Sequence, residues 1–194
     1  IIFLFCSIAL LASCGNRGSK GESSFTETGV KEENSYAKFF EITNYSNCKV
    51  ISVINPWDTT RTLQEYVLVD KNIPLPDDLP KGTVIRTPVE NVIMYSTIHA
   101  SIWEKLGALE SVVGICEPEY LTSERAKQMM AEGKIHNCGM ASSPNVEKIM
   151  DIGGRFIVAS PFENGGYGQA EKLGIPIFES ADYMENHPLG RVEW

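Results

Sequence analysis

Histidine is scarce in this chain, positive charge is in the minority, and no apolar run is long enough to cross a bilayer. Only His99, His136 and His187 occur, and no His/Asp/Glu group has metal-ligand spacing, which argues against a dedicated metal centre. Seventeen basic residues face 25 acidic ones, for a formal net charge of −8. A nucleic-acid partner calls for a basic stripe, and none is present. No C-x-x-C pair occurs among the five cysteines. Cys48, Cys116 and Cys138 lie in the body of the chain, where they read either as buried small hydrophobes or, in an oxidising compartment, as two paired and one free. What remains is ordinary globular composition, 43% apolar and 22% charged over 194 residues, enough for one full domain or one lobe with a tail.

The first 13 residues carry no charge. A membrane helix needs about 20 apolar residues, so this run reads instead as the apolar region of a secretory signal. Leu11-Ala12-Ser13-Cys14 resembles the lipobox of bacterial lipoproteins. The resemblance implies cleavage before Cys14 and lipid on its sulfur, placing the protein in the cell envelope, lipid-anchored, periplasmic or extracytoplasmic. Residues 14–36 are rich in Gly, Ser, Thr, Asn, Lys and Glu and read as a flexible tether. The absence of an initial Met and the ending on Arg191-Val192-Glu193-Trp194 read as a fragment at both ends.

Beyond the tether, β-branched runs at Lys49–Ile54 and residues 65–70 predict strands, and Pro74, Pro76 and Pro80 predict an extended connector. From residue 91 onward strands and helices alternate. Strands are expected at residues 91–95, 112–116 and 135–138, at Phe156–Ala159 and at residues 175–178. Helices are expected where Ile98, Ile102 and Leu106 repeat at helical spacing, at residues 123–132, from Ser143-Pro144 to Gly153-Gly154, and at Gly168–Leu173. Short connectors make this an α/β fold with a parallel sheet covered by helices, whose ligands sit at the carboxyl ends of the strands.

Those ends offer little catalytic chemistry. Ser96 and His99 lie at a helix start, where Ser is a routine cap; a nucleophile would need a base in reach and a third group orienting it. Gly166-Tyr167-Gly168 lacks the third glycine of a dinucleotide loop, because Glu171 stands in its place. The remaining set is semi-apolar, with Tyr95, Ser96, Thr97, Tyr120, Met140, Ala141, Pro161, Phe162 and Tyr167, relieved by Glu117, Glu119 and Glu163. Such a lining suits a large, flattish organic ligand bound without chemistry. Phe162 and Met140 have a second reading, as side chains that close the core.

Residues 84–194 are similar to the substrate-binding proteins of ABC importers for ferric siderophores, haem and cobalamin, whose two lobes are joined by one long helix. The pieces that carry the resemblance are Val92-Ile93-Met94-Tyr95-Ser96, Leu106-Gly107-Ala108 before Val112-Val113-Gly114-Ile115, Asn145-Val146-Glu147-Lys148-Ile149, Phe156-Ile157-Val158-Ala159, Leu173-Gly174-Ile175-Pro176-Ile177 and His187-Pro188-Leu189-Gly190-Arg191-Val192-Glu193-Trp194. The resemblance implies a signal at residues 1–13, a tether at 14–36, the N-terminal substrate-binding lobe of a two-lobed periplasmic-binding-protein fold at 37–187, and the start of the interlobe helix at 188–194, with the second lobe absent. It implies capture of an iron complex or cobalamin and delivery to a permease, with no reaction catalysed and no cofactor. Ser96, Thr97, Tyr120, Met140, Ala141, Pro161 and Phe162 then line the cleft, and Glu147 pairs with permease arginines. Half a cleft is expected to bind weakly. The competing readings are a zinc/manganese-binding transport lipoprotein and an exported α/β enzyme.

Overall fold

The computed structural model describes residues 25–194; the expected signal segment and Cys14 lie outside them. Among the described residues no helix is long and apolar enough to cross a membrane.

The first half of the chain builds one sheet. β1 (Val30–Lys31), β2 (Phe40–Asn44), β3 (Lys49–Ile54) and β4 (Thr62–Asp70) pair antiparallel in sequence order, and β5 (Thr83–Thr87) adds parallel to β4. Local chemistry sets the turns. Tyr45 N–H donates to Cys48 O at 2.9 Å to close the β2–β3 turn. After β3, the Asn55 side chain accepts from the Trp57 and Asp58 amides at 2.9 and 3.1 Å, an Asx turn. A parallel pair cannot be joined by a tight hairpin, and the proline-rich connector at residues 71–82 supplies the extended crossover that β5 requires. At its end Gly82 has φ +148°, and an added Cβ would lie 2.8 Å from Glu65 O. Part of the stretch read as tether lies along this sheet, through β1 and through Phe25, whose ring meets Tyr45 edge-on at 4.9 Å.

The second half builds a parallel sheet. β6 (Val92–Met94), α1 (Thr97–Lys105), β7 (Val112–Ile115), α2 (Glu124–Ala131), β8 (His136–Asn137), the hairpin of β9 (Gly139–Met140) and β10 (Ser143–Pro144), α3 (Val146–Asp151), β11 (Phe156–Ala159), β12 (Ile177–Glu179) and α4 (Pro188–Glu193) follow in order. The spatial order is β12-β11-β6-β7-β8, all parallel. Each of the first three helices has a side-chain cap: Ser96 accepts from Ile98 N, Ser123 from Ala126 N and Asn145 from Lys148 N. Gly107, Gly133 and Gly153, each at positive φ, follow their carboxyl ends.

Strand alternation sorts the core into two layers. Val92, Met94 and Val158 point into a cluster with Ala100 of α1, Ala126 and Met129 of α2, and Phe39, Val53, Tyr66 and Ile85 of the first sheet. Ile93, Tyr95, Ile157 and Ala159 point to the other face, against Ile149 of α3 and Ala170. The parallel sheet is therefore covered on one side by two helices together with the antiparallel sheet, which corrects the expectation of helices alone.

Three further expectations change. Ser143-Pro144 does not open a helix; it is β10, paired with β9 through Ser143 and Met140, and α3 starts after the Asn145 cap. Gly168–Leu173 is a 3-10 helix instead of an α-helix. The Ile98, Ile102 and Leu106 stripe faces outward, at 64%, 38% and 72% exposure, while α1 buries His99 and Ala100 and packs Trp103 against the core. Helical spacing located the helix correctly, but the apolar stripe is not the face the core uses.

Two polar devices bind the halves together. Tyr66 of β4, 1% exposed, donates its hydroxyl to Ile177 O and accepts from Glu179 N, both at 2.9 Å. At the other joint Glu193 of α4 accepts from the Ser35, Tyr36 and Ala37 amides at 2.6, 2.7 and 2.6 Å. Glu185 accepts from Lys38 N, Phe39 N and Trp194 Nε1 at 2.9, 2.9 and 3.1 Å.

Replacing Tyr66 by Phe removes both edge-strand bonds and leaves Glu179 N–H unpaired. The expected loss is about 1–3 kcal/mol of unfolding free energy, read by denaturant titration; an unchanged midpoint would show that the hydroxyl holds nothing. Glu179 gives a pH signature. Its burial pushes the carboxyl above the ordinary range, only partly offset by hydrogen bonds from Tyr167 and Gln64. The raised folded-state value contributes stability that is complete below the unfolded value, about 4.3, and is lost as pH rises through the folded value. Relative to Glu179→Gln, the parent protein should lose unfolding free energy as pH rises above about 4.3; parallel pH curves for the two would contradict this.

Candidate functional site

The order β12-β11-β6-β7-β8 contains one reversal. From β6 the chain steps outward through β7 and β8, then returns by way of α3 to β11 on the far side of β6. The loops leaving β6 and β11 therefore diverge from neighbouring strand ends. In open α/β sheets this switch point is where a crevice forms outside the carboxyl ends of the strands. The register is fixed there by Tyr95 N–H to Val158 O at 2.9 Å and Cys116 N–H to Met94 O at 2.8 Å.

All the expected cleft residues sit on the loops that leave this edge, in different states. Ser96 and Thr97 follow β6 and are half-buried; the Ser96 hydroxyl is engaged in capping α1. Ala141 is half-buried beside the second core layer. Pro161 is buried, so its ring is not presented to a ligand, and its backbone carbonyl accepts from the Tyr183 hydroxyl at 2.6 Å. Tyr120, Met140 and Phe162, by contrast, are 69%, 56% and 69% exposed. The reading in which Met140 and Phe162 close the core is thereby excluded. Ile98, in the first turn of α1, adds a fourth exposed apolar side chain at this end.

The loop after β12 was not among the segments singled out from the sequence, although a strand at residues 175–178 called for it. It contributes Tyr183, whose ring lies 6.4 Å from Phe162, and a buried polar group. His99 Nε2 lies 3.3 Å from Asp182 Oδ1, and Ser180 Oγ donates to the same oxygen at 3.0 Å. Burial works against the Asp182 carboxylate, but His99 and Ser180 more than offset it and hold the group below its usual range. Serine and histidine both attach to the carboxylate, so no serine hydroxyl is handed to the imidazole as a nucleophile requires. The group pins α1 to the segment that leads into α4.

The charge of the edge is one-sided. Glu117, in the left-handed region at φ 52°, Glu119 and Glu163 lie on its loops, and none of the strand-end residues named here is basic. Arg125 and Lys134, the nearest cations in sequence, are engaged with Glu110 at 2.7 Å and Glu132 at 3.0 Å. Glu147 is exposed in the first turn of α3. Because α3 begins just after the hairpin that leaves β8, Glu147 stands at the same end of the sheet as the apolar loops.

Cys48, Cys116 and Cys138 are free and buried. Burial pushes the Cys116 thiol up to about 12 and the Cys138 thiol up to about 11, which keeps both protonated and unreactive. Gly114 makes room for them: a Cβ there would lie 2.5 Å from Cys138 Sγ. Among the described residues no group of three or more His, Cys, Asp or Glu side chains could hold a metal ion.

No protein-family model matches the chain, and no solved structure matches it. Among curated proteins it is similar to an uncharacterized lipoprotein of Methanocaldococcus jannaschii, 28% identical over an alignment of 196 positions. The alignment covers 87% of this chain and 47% of the relative, so the chain spans about half the length of the curated protein it matches.

Proposed function

We propose that this chain is the first lobe of a lipid-anchored substrate-binding protein that captures an iron complex, haem or cobalamin and delivers it, unaltered, to an ABC importer permease. The observation that carries the reading is the exposure of Tyr120, Met140 and Phe162 on the segments that follow β7, β8 and β11, along one edge of the parallel sheet. Exposed apolar side chains gathered on one edge mark a candidate ligand surface, and aromatic faces suit a broad, flat molecule. The absence of cations from those strand-end residues favours a corrin or porphyrin over an anionic siderophore. The relative's description as a lipoprotein supports lipid attachment at Cys14 and a place in the cell envelope. A parallel sheet buried on both faces, with exposed loops at its carboxyl edge and no activated nucleophile among the described residues, suits capture without conversion. In this reading the ligand lies between this lobe and a second one, and α4 opens the helix between them.

Glu147 has a role of its own here. An exposed carboxylate meeting permease arginines makes charge-assisted, bidentate contacts that set orientation.

The reading is tested by absorbance titration of the protein at its full natural length with haem, cobalamin and a ferric siderophore. One of them should bind saturably with a spectral shift; turnover of any of them, or no binding of all three, would reject the proposal. Phe162→Ala should weaken binding about tenfold, roughly 1.4 kcal/mol, with the melting temperature unchanged because the ring is exposed. Glu147→Ala should leave ligand affinity intact and lower uptake in cells at normal protein level. Unchanged uptake would remove the docking role.

A further inference from the structure

A cavity of about 280 Å³ opens at the amino ends of the parallel strands, opposite the candidate ligand edge and between the two sheets. Apolar Val84, Ile85, Val89, Phe156 and Pro176 line it. Three cations line it as well. Lys71 follows β4, Arg86 lies on β5 and Arg155 immediately precedes β11, so three elements bring one positive charge each. Glu90 is the one acid in the lining. It pairs with Lys71 at 2.9 Å, and this hydrogen bond and charge, with Arg155 adding to them, hold its carboxyl below the usual range. Arg86 donates one Nη2 bond to Ile73 O at 2.6 Å, which fixes the guanidinium and leaves further donors free. The Arg155 guanidinium has neither a carboxylate nor a carbonyl partner among the described residues.

Three cations against one carboxylate leave the lining two positive charges in excess, in a chain whose net charge is −8. A surface of that average sign does not concentrate cations around an apolar hollow by composition alone. The matching ligand has two negative charges on one compact head and an apolar body for the apolar lining. A phosphomonoester carries about −1.5 to −2 at neutral pH with three acceptor oxygens, and planar guanidinium groups meet such oxygens two at a time.

We infer that this cavity is a binding site for a phosphomonoester head carried on a small apolar body. The site is separate from the candidate ligand edge at the other end of the strands. Two sources share this chemistry: a soluble aryl or alkyl phosphate, and a phosphatidate-type lipid headgroup.

The experiment titrates the full chain with phenyl phosphate, with phenol as the uncharged control, and measures co-sedimentation with phosphatidylcholine vesicles with and without phosphatidic acid. Saturable binding of phenyl phosphate but not phenol is expected, and Arg155→Gln should weaken it at least tenfold without changing the melting temperature. Lys134→Gln, at a residue that does not line the cavity, should leave it unchanged. Binding to phosphatidic acid vesicles alone, lost in Arg155→Gln, assigns the lipid source; binding of phenyl phosphate alone assigns the soluble one. No saturable binding of either probe, or an equal loss in Arg155→Gln and Lys134→Gln, would overturn the site. Neither result bears on haem or cobalamin binding at the candidate ligand edge, so the two proposals fail separately.

Discussion

A parallel sheet has to be hidden from water on both faces, and that requirement organises this chain. Val92, Ile93 and Met94 are consecutive and fully buried, so neither face of β6 can be left open. α3 and the 3-10 helix at Gly168–Leu173 close one side. α1 and α2 close part of the other, and the antiparallel sheet supplies the remainder through Phe39, Val53, Tyr66 and Ile85. The first half of the chain is thus a lid on the second half. The Tyr66 hydroxyl fastens that lid where it crosses the edge strand β12, by giving unpaired edge groups a partner.

With the sheet covered on both faces, the strand ends are the surfaces left for function. The carboxyl edge carries exposed apolar side chains and acid; the amino edge carries a hollow lined by apolar side chains and cations. The loops at the candidate ligand edge hold Glu117, Glu119 and Glu163, and the cavity at the other end is lined by Lys71, Arg86 and Arg155 together with Glu90.

The strands, the caps and the stops were legible because each is local. β-branched runs marked β3, β6 and β11; Ser96 and Ser123 marked helix starts; Gly107, Gly133 and Gly153 marked their ends. What required three dimensions was invisible. Ser143-Pro144 has the composition of a helix start, yet pairing with Met140 and Gly139 claims it first. The Ile98 stripe has the spacing of a core face, yet α1 turns it outward because His99 is held inside by Asp182, 83 residues away. For the candidate site, chain order gave the loops correctly, since strand ends follow from strand positions. It did not separate the exposed Phe162 from its buried neighbour Pro161, because that depends on Tyr183 taking the Pro161 carbonyl.

The carboxylate of Glu193 gathers three successive amides from residues 35–37, and Glu185 takes the next two. The segment arriving at the first sheet and the departing α4 are thereby riveted together, by bonds that span 146 to 158 residues of sequence. The direction in which α4 leaves the sheets is therefore set by the backbone of residues 35–39, and a displacement of either segment carries the other with it.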